Sequence, residues 1–288
     1  MNEVNAPLAA HRDHRREWKD FLYVYPVISR RSHGVSLGVN LNPDKICNFD
    51  CVYCEVDRRT PPRTRIVDLD LLERELRALL DVWKSGDLFR APPFALAPPE
   101  ARRLNDIAFS GDGEPTTFAR FSEACALVAR VKRETVGDSV KIVLITDAAG
   151  LDRADVRRGL DILDANQGEV WAKLDAGTEA GYRLVNRSSV RFDRILKNIE
   201  ATGKKRPICI QSLFLKVRGK GPPPEEIAAY VERLRHLVAA GSRIQEVQVY
   251  TVARPTPEVW ATALPAGDLE AIARRVRDAT GLTVGVYP

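Results

Sequence analysis

Apolar and polar residues follow a repeating strand–helix pattern along most of the chain. Short apolar runs of strand length recur between longer stretches whose apolar residues have helical spacing. The predicted strands are 35–40, 107–109, 141–145, 170–174, 208–213 and 247–251, with a short last strand at 283–287. The predicted helices lie near 117–134, 152–164, 191–203, 224–240 and 267–280. This alternation predicts an α/β fold with a parallel sheet and right-handed crossovers, either open or barrel-like.

The first hundred residues add a strand and a helix to this pattern. Residues 21–27 are β-prone, and a helix is predicted from apolar residues at helical spacing: Leu69, Leu72, Leu76, Leu79 and Trp83. Asp68 or Asp70 can cap this helix, and Glu73 is placed for a capping box with Asp70. The prolines of 86–104 predict a surface excursion. We expect residues 1–22 to form a polar arm, and 23–288 to form one barrel domain with a C-terminal extension.

Composition limits the class of protein. Hydrophobic residues make up 44% of the 288 residues, which is ordinary for a chain with a real core. No stretch reaches the roughly 18 apolar residues that a membrane span needs. The five cysteines do not resemble a secreted disulfide framework, so a cytoplasmic protein is expected. The net charge of +5 permits an anionic partner and does not require one.

Three of the five cysteines fall within eight residues. Cys47, Cys51 and Cys54 have the spacing C-x3-C-x2-C, so their thiolates can converge on one metal centre. A structural zinc site usually has a fourth Cys or His at comparable spacing, and neither His33 nor Cys125 has it. A 4Fe–4S cluster normally takes four thiolates, so three would leave one iron open to another ligand. Zinc, an ordinary cluster and a redox-active disulfide remain alternatives at this point.

The cysteine spacing, with Tyr53 before the last cysteine, resembles the motif of the radical S-adenosylmethionine (SAM) superfamily. In that family three cysteines hold a 4Fe–4S cluster, and the amino and carboxylate groups of SAM chelate the fourth iron. The turn after the second predicted parallel strand is also similar to the family's Gly-Gly-Glu segment, which holds the SAM amino group. Gly111, Gly113 and Glu114 match this segment, and Asp112 stands where its second glycine often occurs. The resemblance implies that these four residues bind SAM. The alternative for this turn is a tight connection with Thr116 or Thr117 capping the next helix.

The resemblance extends over most of residues 23–255. The segments that carry it are 25–31, 36–41, 173–177, 186–187, 210–214 and 249–255. They resemble a branch of iron–sulfur oxidoreductases related to wyosine-type tRNA modification enzymes. The resemblance implies a partial (β/α)6 barrel in which SAM is reductively cleaved to a 5′-deoxyadenosyl radical that abstracts hydrogen from a substrate. It also implies a low-potential electron donor, flavodoxin or ferredoxin, and leaves a tRNA base, a small metabolite or a peptide as substrate.

Several polar residues stand at predicted strand ends, where a parallel barrel places its reaction chamber. Lys173, Asp175 and Gln211 are the expected catalytic residues, while Thr146, Arg254 and Tyr53 are expected to contact SAM. Strand alternation places Lys173 and Asp175 on one face, where they could orient SAM or the substrate or form an ion pair. Each of these side chains could instead be a helix cap or a loop salt bridge.

The two remaining cysteines are expected to be packed thiols. Cys125 lies among apolar helix residues, and Cys209 shares a strand face with Gln211.

Two other classes of protein compete with the enzyme. A zinc-binding RNA-interaction module would explain the cysteines and the basic charge, but not the strand-end residues. A ferredoxin-like electron carrier would leave one iron without a ligand. The basic segments 30–33 and 58–65 could form an anion-binding rim for a phosphate-rich substrate, or could be an ordinary solvated surface.

Overall fold

The computed structural model describes residues 18–90 and 92–288, so nearly all of the predicted arm at 1–22 lies outside the described residues. The strands are β1 (Val24–Ser29), β2 (Gly34–Val39), β3 (Leu104–Phe109), β4 (Lys141–Thr146), β5 (Gly168–Lys173), β6 (Ile208–Leu213), β7 (Leu215–Val217), β8 (Ile244–Tyr250), β9 (Ala261–Ala263) and β10 (Val284–Tyr287). The helices are α1 (Leu69–Lys84), α2 (Phe121–Thr135), α3 (Ala154–Asp164), α4 (Glu179–Val185), α5 (Phe192–Lys205), α6 (Pro224–Ala239) and α7 (Ala266–Thr280).

The chain divides into two compact units. Within the described residues, the first unit contains 18–46, 60–144 and 157–168, and the second contains 47–59, 145–156 and 169–288. In the first unit β1 is antiparallel to β2, β2 is parallel to β3, and β3 is parallel to β4. Helices α1 and α2 pack against each other in this unit.

Helix α1 begins after Asp68, which is one of the two predicted N-caps. Asp68 is the N-cap, and its carboxylate accepts hydrogen bonds from the backbone N–H groups of Asp70 and Leu71. The capping box predicted for Glu73 is wrong, because Glu73 forms salt bridges with Arg77 and Arg130 instead. Arg77 lies one helical turn after Glu73, and Arg130 reaches Glu73 from helix α2.

A buried carboxylate on α1 fixes the start of β1. Glu75 accepts hydrogen bonds from the backbone N–H groups of Leu22, Tyr23 and Val24, at 2.8–3.2 Å. These bonds satisfy three donors at the start of the strand and compensate the burial of the carboxylate. The β-prone segment predicted at 21–27 is therefore a strand that begins three residues later.

The second unit contains the parallel strands β5, β6, β8 and β10, in that order. Strand alternation gives each of these strands two different faces. One face is aliphatic, with Val170, Ala172, Ile208, Ile210, Val247 and Val249 all buried. Ser212 lies on this face and shares a hydrogen bond with Tyr230 of α6, so this is the face that the helix covers. The opposite face carries Lys173 and Gln211.

The strand predictions are confirmed, with ends that differ by at most three residues, and the five helices predicted after residue 116 are also present. The small antiparallel pair β7–β9 and the short helix α4 were not predicted. A three-residue strand has too little alternation to recognise, and a seven-residue helix shows no more than two turns of periodicity. Among the helices of the described residues, none combines the length and apolar character that a membrane crossing requires.

Candidate active site

The cysteine loop, residues 47–59 of the second unit, is bound to the end of helix α4. The backbone N–H of Asp50 donates to the carbonyl of Asn186 at 3.0 Å, and that of Val52 donates to the carbonyl of Val185 at 2.9 Å. Ser188 adds a side-chain bond to the carbonyl of Asn48 at 2.8 Å. The position of the loop therefore depends on α4, which lies more than 120 residues further along the chain.

The three clustered cysteines differ from the other two in exposure. Cys47, Cys51 and Cys54 are half-buried free thiols, whereas Cys125 and Cys209 are buried, as predicted for packed thiols. Two of the clustered sulfurs have a nitrogen donor at 3.5 Å: Asn186 Nδ2 lies beside Cys51 and Arg58 Nη1 beside Cys54. N–H donors of this kind stabilise negative charge on ligand sulfurs.

Burial and the charge of Asp175 raise the pKa of Cys51 to about 12. This sulfur therefore becomes a thiolate at neutral pH only beside a cationic centre. In the part of the chain that the structure describes, no three or more His, Cys, Asp or Glu side chains are gathered as the ligands of one metal ion. The donor set nevertheless fits an iron–sulfur cluster, because three accessible thiols share one short loop and two have N–H donors.

Asp175 is the centre of a hydrogen-bond network that joins the cysteine loop to the sheet. Its fully buried carboxylate accepts hydrogen bonds from the Tyr53 hydroxyl, from Asn186 Nδ2 at 2.8 Å and from the Leu213 backbone N–H at 2.9 Å. Lys173 Nζ lies 3.4 Å from the same carboxylate. Asn186 thus contacts both Cys51 and Asp175, so one amide links a candidate cluster ligand to the buried charge.

Lys173 lies between two aromatic rings beside this carboxylate. Its Nζ donates to the Tyr250 hydroxyl at 2.6 Å and stands 5.0 Å from the ring centre of Tyr53 and 5.2 Å from that of Tyr250. Burial lowers the pKa of Lys173, but the neighbouring Asp175, Tyr250 and Cys51 together outweigh it and leave that pKa above its usual value. Burial and Asp175 also raise the pKa of Tyr53. Both groups therefore keep their protons at neutral pH, and the ion pair that was one alternative for Lys173 and Asp175 is present.

The other expected strand-end residues of the second unit lie in separate contacts. Gln211 is fully buried on β6 directly opposite Lys173 of β5, on the same sheet face, and donates to Gln248 of β8 at 2.8 Å. The Thr146 hydroxyl accepts from the backbone N–H of Ala148 at 3.0 Å, which is a local turn contact. Arg254 forms a salt bridge with Glu55, the residue after Cys54. Contact of Thr146 and Arg254 with SAM stays a prediction.

The glycine turn, residues 110–117 of the first unit, lies against the segment that leads to Cys47. A Cβ on Gly113 would lie 1.9 Å from the carbonyl oxygen of Ile46, and one on Gly111 would lie 2.4 Å from Asn40 Oδ1. Both distances are far below van der Waals contact, so only glycine fits against the Ile46 backbone at Gly113 and against the Asn40 side chain at Gly111. Asp112 exchanges two hydrogen bonds with the Asn40 side chain, at 2.9 and 3.2 Å.

Glu114 has a structural role within this turn. Its buried Oε1 accepts from the backbone N–H of Thr116 at 3.1 Å and from the Thr116 hydroxyl at 2.5 Å. Asn42 Nδ2 donates to the Thr117 hydroxyl at 2.8 Å. The cap expected from Thr116 or Thr117 is wrong, because α2 begins only at Phe121, with Arg120 at its N-cap and no side-chain hydrogen bond there. Glu114 instead caps the short 3-10 helix Pro115–Thr117 that precedes α2. A contact of Glu114 with the SAM amino group stays a prediction.

Sequence reasoning missed several residues that hold these sites together. Asn186 and Tyr250 appeared only inside segments of family resemblance, and Asn40 and Asn42 were assigned no contact. The available signal was their position, since each lies at or just after the end of a strand or helix. Amides and hydroxyls at such positions cap turns far more often than they support a site, so position alone did not separate the two roles.

No family model matches this chain. A UPF0026 protein of Methanocaldococcus jannaschii is 30% identical over 178 residues, which cover 61% of this chain and 48% of the relative. The chain therefore spans about half the length of that relative, whose name states a family and no activity. Among solved structures, Streptococcus suis SuiB bound to S-adenosylmethionine superimposes with a TM-score of 0.55 at 14% identity, covering 90% of this chain and 49% of SuiB.

A spore photoproduct lyase variant, bound to AdoMet and a dinucleoside spore photoproduct, superimposes with a TM-score of 0.52 at 12% identity. It covers 84% of this chain and 73% of that protein. This chain has the radical SAM fold. The predicted α/β partial-barrel fold is thereby confirmed, and the chain resembles radical SAM proteins at the level of the fold.

Proposed function

We propose that this protein is a radical SAM enzyme whose Cys47, Cys51 and Cys54 hold a 4Fe–4S cluster. One observation carries the proposal: three accessible thiols on a single loop, tied by Asn186 and Tyr53 to a buried charge network, in a chain with the radical SAM fold. When bound, the reduced cluster supplies the electron that cleaves SAM to methionine and the 5′-deoxyadenosyl radical, which takes hydrogen from the substrate.

The chain's own residues would support this chemistry by binding and orientation. Asn186 and Arg58 donate N–H groups toward ligand sulfurs, which stabilises their negative charge. Asp175 holds Tyr53, the side chain between two of the cysteines, in one orientation. Lys173 remains protonated and is positioned to attract an anionic group of SAM or of the substrate.

In the first unit, the glycine turn brings its backbone against the segment that precedes Cys47. Glycines at the end of a strand leave backbone N–H and C=O groups accessible to a ligand, because no side chain covers them. We propose that this turn, with Glu114, binds the methionine part of SAM.

The enzyme would receive its electron from a low-potential donor such as flavodoxin or ferredoxin. A tRNA base is the substrate we propose first. Arg58, Arg59, Arg63 and Arg65 follow the cysteines directly, which is a charge pattern suited to phosphates. A spore photoproduct lyase with the same fold has been crystallised with a dinucleoside bound, and this is consistent with a nucleotide substrate.

Anaerobic reconstitution of the full chain tests the proposal. We expect four irons and four sulfides per chain, iron–sulfur charge-transfer absorbance, and formation of 5′-deoxyadenosine and methionine from SAM after addition of dithionite. The matched control is the protein with Cys47, Cys51 and Cys54 all changed to Ala. Stoichiometric zinc without that absorbance would instead favour the zinc-binding class of protein.

A further inference from the structure

The polar face of the sheet in the second unit carries an arrangement that the proposed function does not use. The residues of this face are Trp171, Lys173, Cys209, Gln211, Leu213, Glu246, Gln248, Tyr250, Gly285 and Tyr287. Parallel sheets that pack on both faces are normally aliphatic on both. Here one face is aliphatic and covered by a helix, whereas the other consists mainly of polar and aromatic residues.

Four of these residues form a directional chain of hydrogen bonds. Gln211 Nε2 donates to Gln248 Oε1 at 2.8 Å, Gln248 Nε2 donates to Glu246 Oε2 at 3.0 Å, and the Tyr287 hydroxyl donates to Glu246 Oε1 at 3.3 Å. An ionised carboxylate only accepts hydrogen bonds. Gln248 must therefore point its amide nitrogen toward the Glu246 carboxylate and its amide oxygen toward Gln211. Gln211 must in turn present its nitrogen to Gln248.

This chain of bonds fixes Gln211 as an acceptor. Gln211 is fully buried, and its Oε1 has no hydrogen-bond partner among the described residues. A buried amide oxygen without a hydrogen-bond partner is unfavourable. In native proteins such an atom usually binds a water, an ion or a ligand. The acceptor lies directly opposite Lys173, one of the residues assigned to the candidate active site.

We infer that Gln211 Oε1 is a specificity-determining acceptor for a planar heterocycle that presents a ring N–H donor. This inference rests on the proposed function, since it names the class of substrate for the same site. The planar shape is argued from the two aromatic residues that share this face, Trp171 and Tyr250, because aromatic side chains are suited to stacking on a flat ring. Recognition of a heterocycle by stacking and by hydrogen bonds to its edge is how proteins bind unpaired bases.

Two matched pairs of nucleosides test the requirement for the donor. Inosine and uridine carry a ring N–H, while 1-methylinosine and 3-methyluridine carry a methyl group at the same nitrogen. Binding to the full chain is measured by isothermal titration or by ligand-observed NMR, without SAM and without reductant. We expect each N–H compound to bind roughly tenfold more tightly than its methylated partner, a ratio that corresponds to about 1.4 kcal/mol.

Three variants test whether Gln211 causes this difference in affinity. Gln211→Leu should reduce the ratio to near one. Glu246→Gln should also reduce it, because a neutral amide at that position lets both glutamines turn and present either a donor or an acceptor. Gln245→Leu, the same change at an exposed position on β8, should leave the ratio unchanged. Circular dichroism and thermal unfolding show whether each variant is folded. If Gln211→Leu does not fold, Glu246→Gln still tests the inference.

The inference is overturned if wild-type protein binds neither N–H compound, if both members of a pair bind equally, or if Gln211→Leu and Glu246→Gln keep the ratio. A water bound permanently to Oε1 would give the second of these results. The proposed function fails separately, when wild-type reconstituted protein does not cleave SAM. Because the binding measurement uses neither cluster chemistry nor SAM, it distinguishes the two failures.

Discussion

The cysteine loop and the glycine turn are held in place by different forces. The loop depends on buried charge: Asp175 accepts hydrogen bonds from Tyr53 and Asn186 and faces the ammonium of Lys173. The turn depends on close backbone approach, since Gly113 contacts Ile46 at a distance that allows no side chain. A region held by buried charge should tolerate a change of side-chain shape but not a change of charge. A region held by close packing should tolerate a change of charge but not an increase in side-chain volume. The two regions should therefore respond to opposite kinds of mutation.

The largest expected effect is loss of the cluster. Changing Cys47, Cys51 or Cys54 to Ala removes one of three thiolate ligands, and we expect iron and sulfide to fall to background in each variant. Cys125→Ala and Cys209→Ala remove buried thiols outside the loop and should keep a full cluster. Iron and sulfide analysis after anaerobic reconstitution makes the comparison. Retention of the cluster in a loop variant would show that a different ligand set binds it.

The next largest effect is expected at the charge network. Asp175→Ala leaves the buried ammonium of Lys173 without its counter-charge, which should reduce the free energy of unfolding by about 3–5 kcal/mol. Asp175→Ala combined with Lys173→Met removes both charges and should recover part of this loss. Urea unfolding of the two variants provides the measurement. If the double variant is as unstable as the single one, packing and not charge supports the loop.

Glu114 connects the two kinds of support, because it carries a charge within the sterically fixed turn. Loss of one charge-assisted hydrogen bond costs roughly 1.5–3 kcal/mol, so Glu114→Ala should weaken SAM binding by about 10- to 150-fold while the cluster still assembles. Thr116→Val removes the hydroxyl that Glu114 binds and retains the carboxylate, so it should affect SAM binding much less. Equal losses in titrations of SAM would assign Glu114 a purely structural role.

Gly113→Ala tests steric support directly. The new methyl group would have to displace the Ile46 carbonyl or the turn itself, and overpacking of this kind costs about 1–3 kcal/mol. Gly267→Ala places the same methyl group in open space on α7 and should be neutral or slightly stabilising. Thermal unfolding compares the two variants. A Gly113→Ala protein as stable as the Gly267→Ala protein would show that the turn can move away at little cost.

The smallest effect concerns the basic segment after the cysteines. If a tRNA is the substrate, Arg59→Ala with Arg65→Ala should lower the magnitude of the slope of log affinity against log salt by about two. Arg58 and Arg63 are kept, because Arg58 donates to the Cys54 sulfur and Arg63 donates to the carbonyls of Asp20 and Phe21. Arg274→Ala with Arg275→Ala, on exposed positions of α7, is the charge-matched control. Fluorescence anisotropy measures the affinity for tRNA from low to physiological salt. An equal salt dependence of the two double variants would contradict the prediction.

Local patterns in the sequence predict most elements of the fold and the type of the candidate site. Strand alternation, helical spacing and the C-x3-C-x2-C motif each involve residues close together in the chain, so each can be recognised without knowledge of the fold. The same alternation placed Lys173 beside Asp175, and Cys209 on the face of Gln211. The spacing of the cysteines predicted a three-thiolate site because ligand type and ligand count follow from composition alone.

The surroundings of these residues depend on contacts between distant parts of the chain, which the sequence does not reveal. Asn186 reaches Cys51 across 135 positions of sequence, Tyr250 reaches Lys173 across 77, and Gln248 reaches Gln211 across 37. Which polar groups become partners depends on strand register and on the path of the loops. A one-residue change of register would turn the strand residues among them to the other face of the sheet. Gln211 could be recognised as a strand-end amide from the sequence, but its role as an acceptor required the neighbours that the fold brings to it.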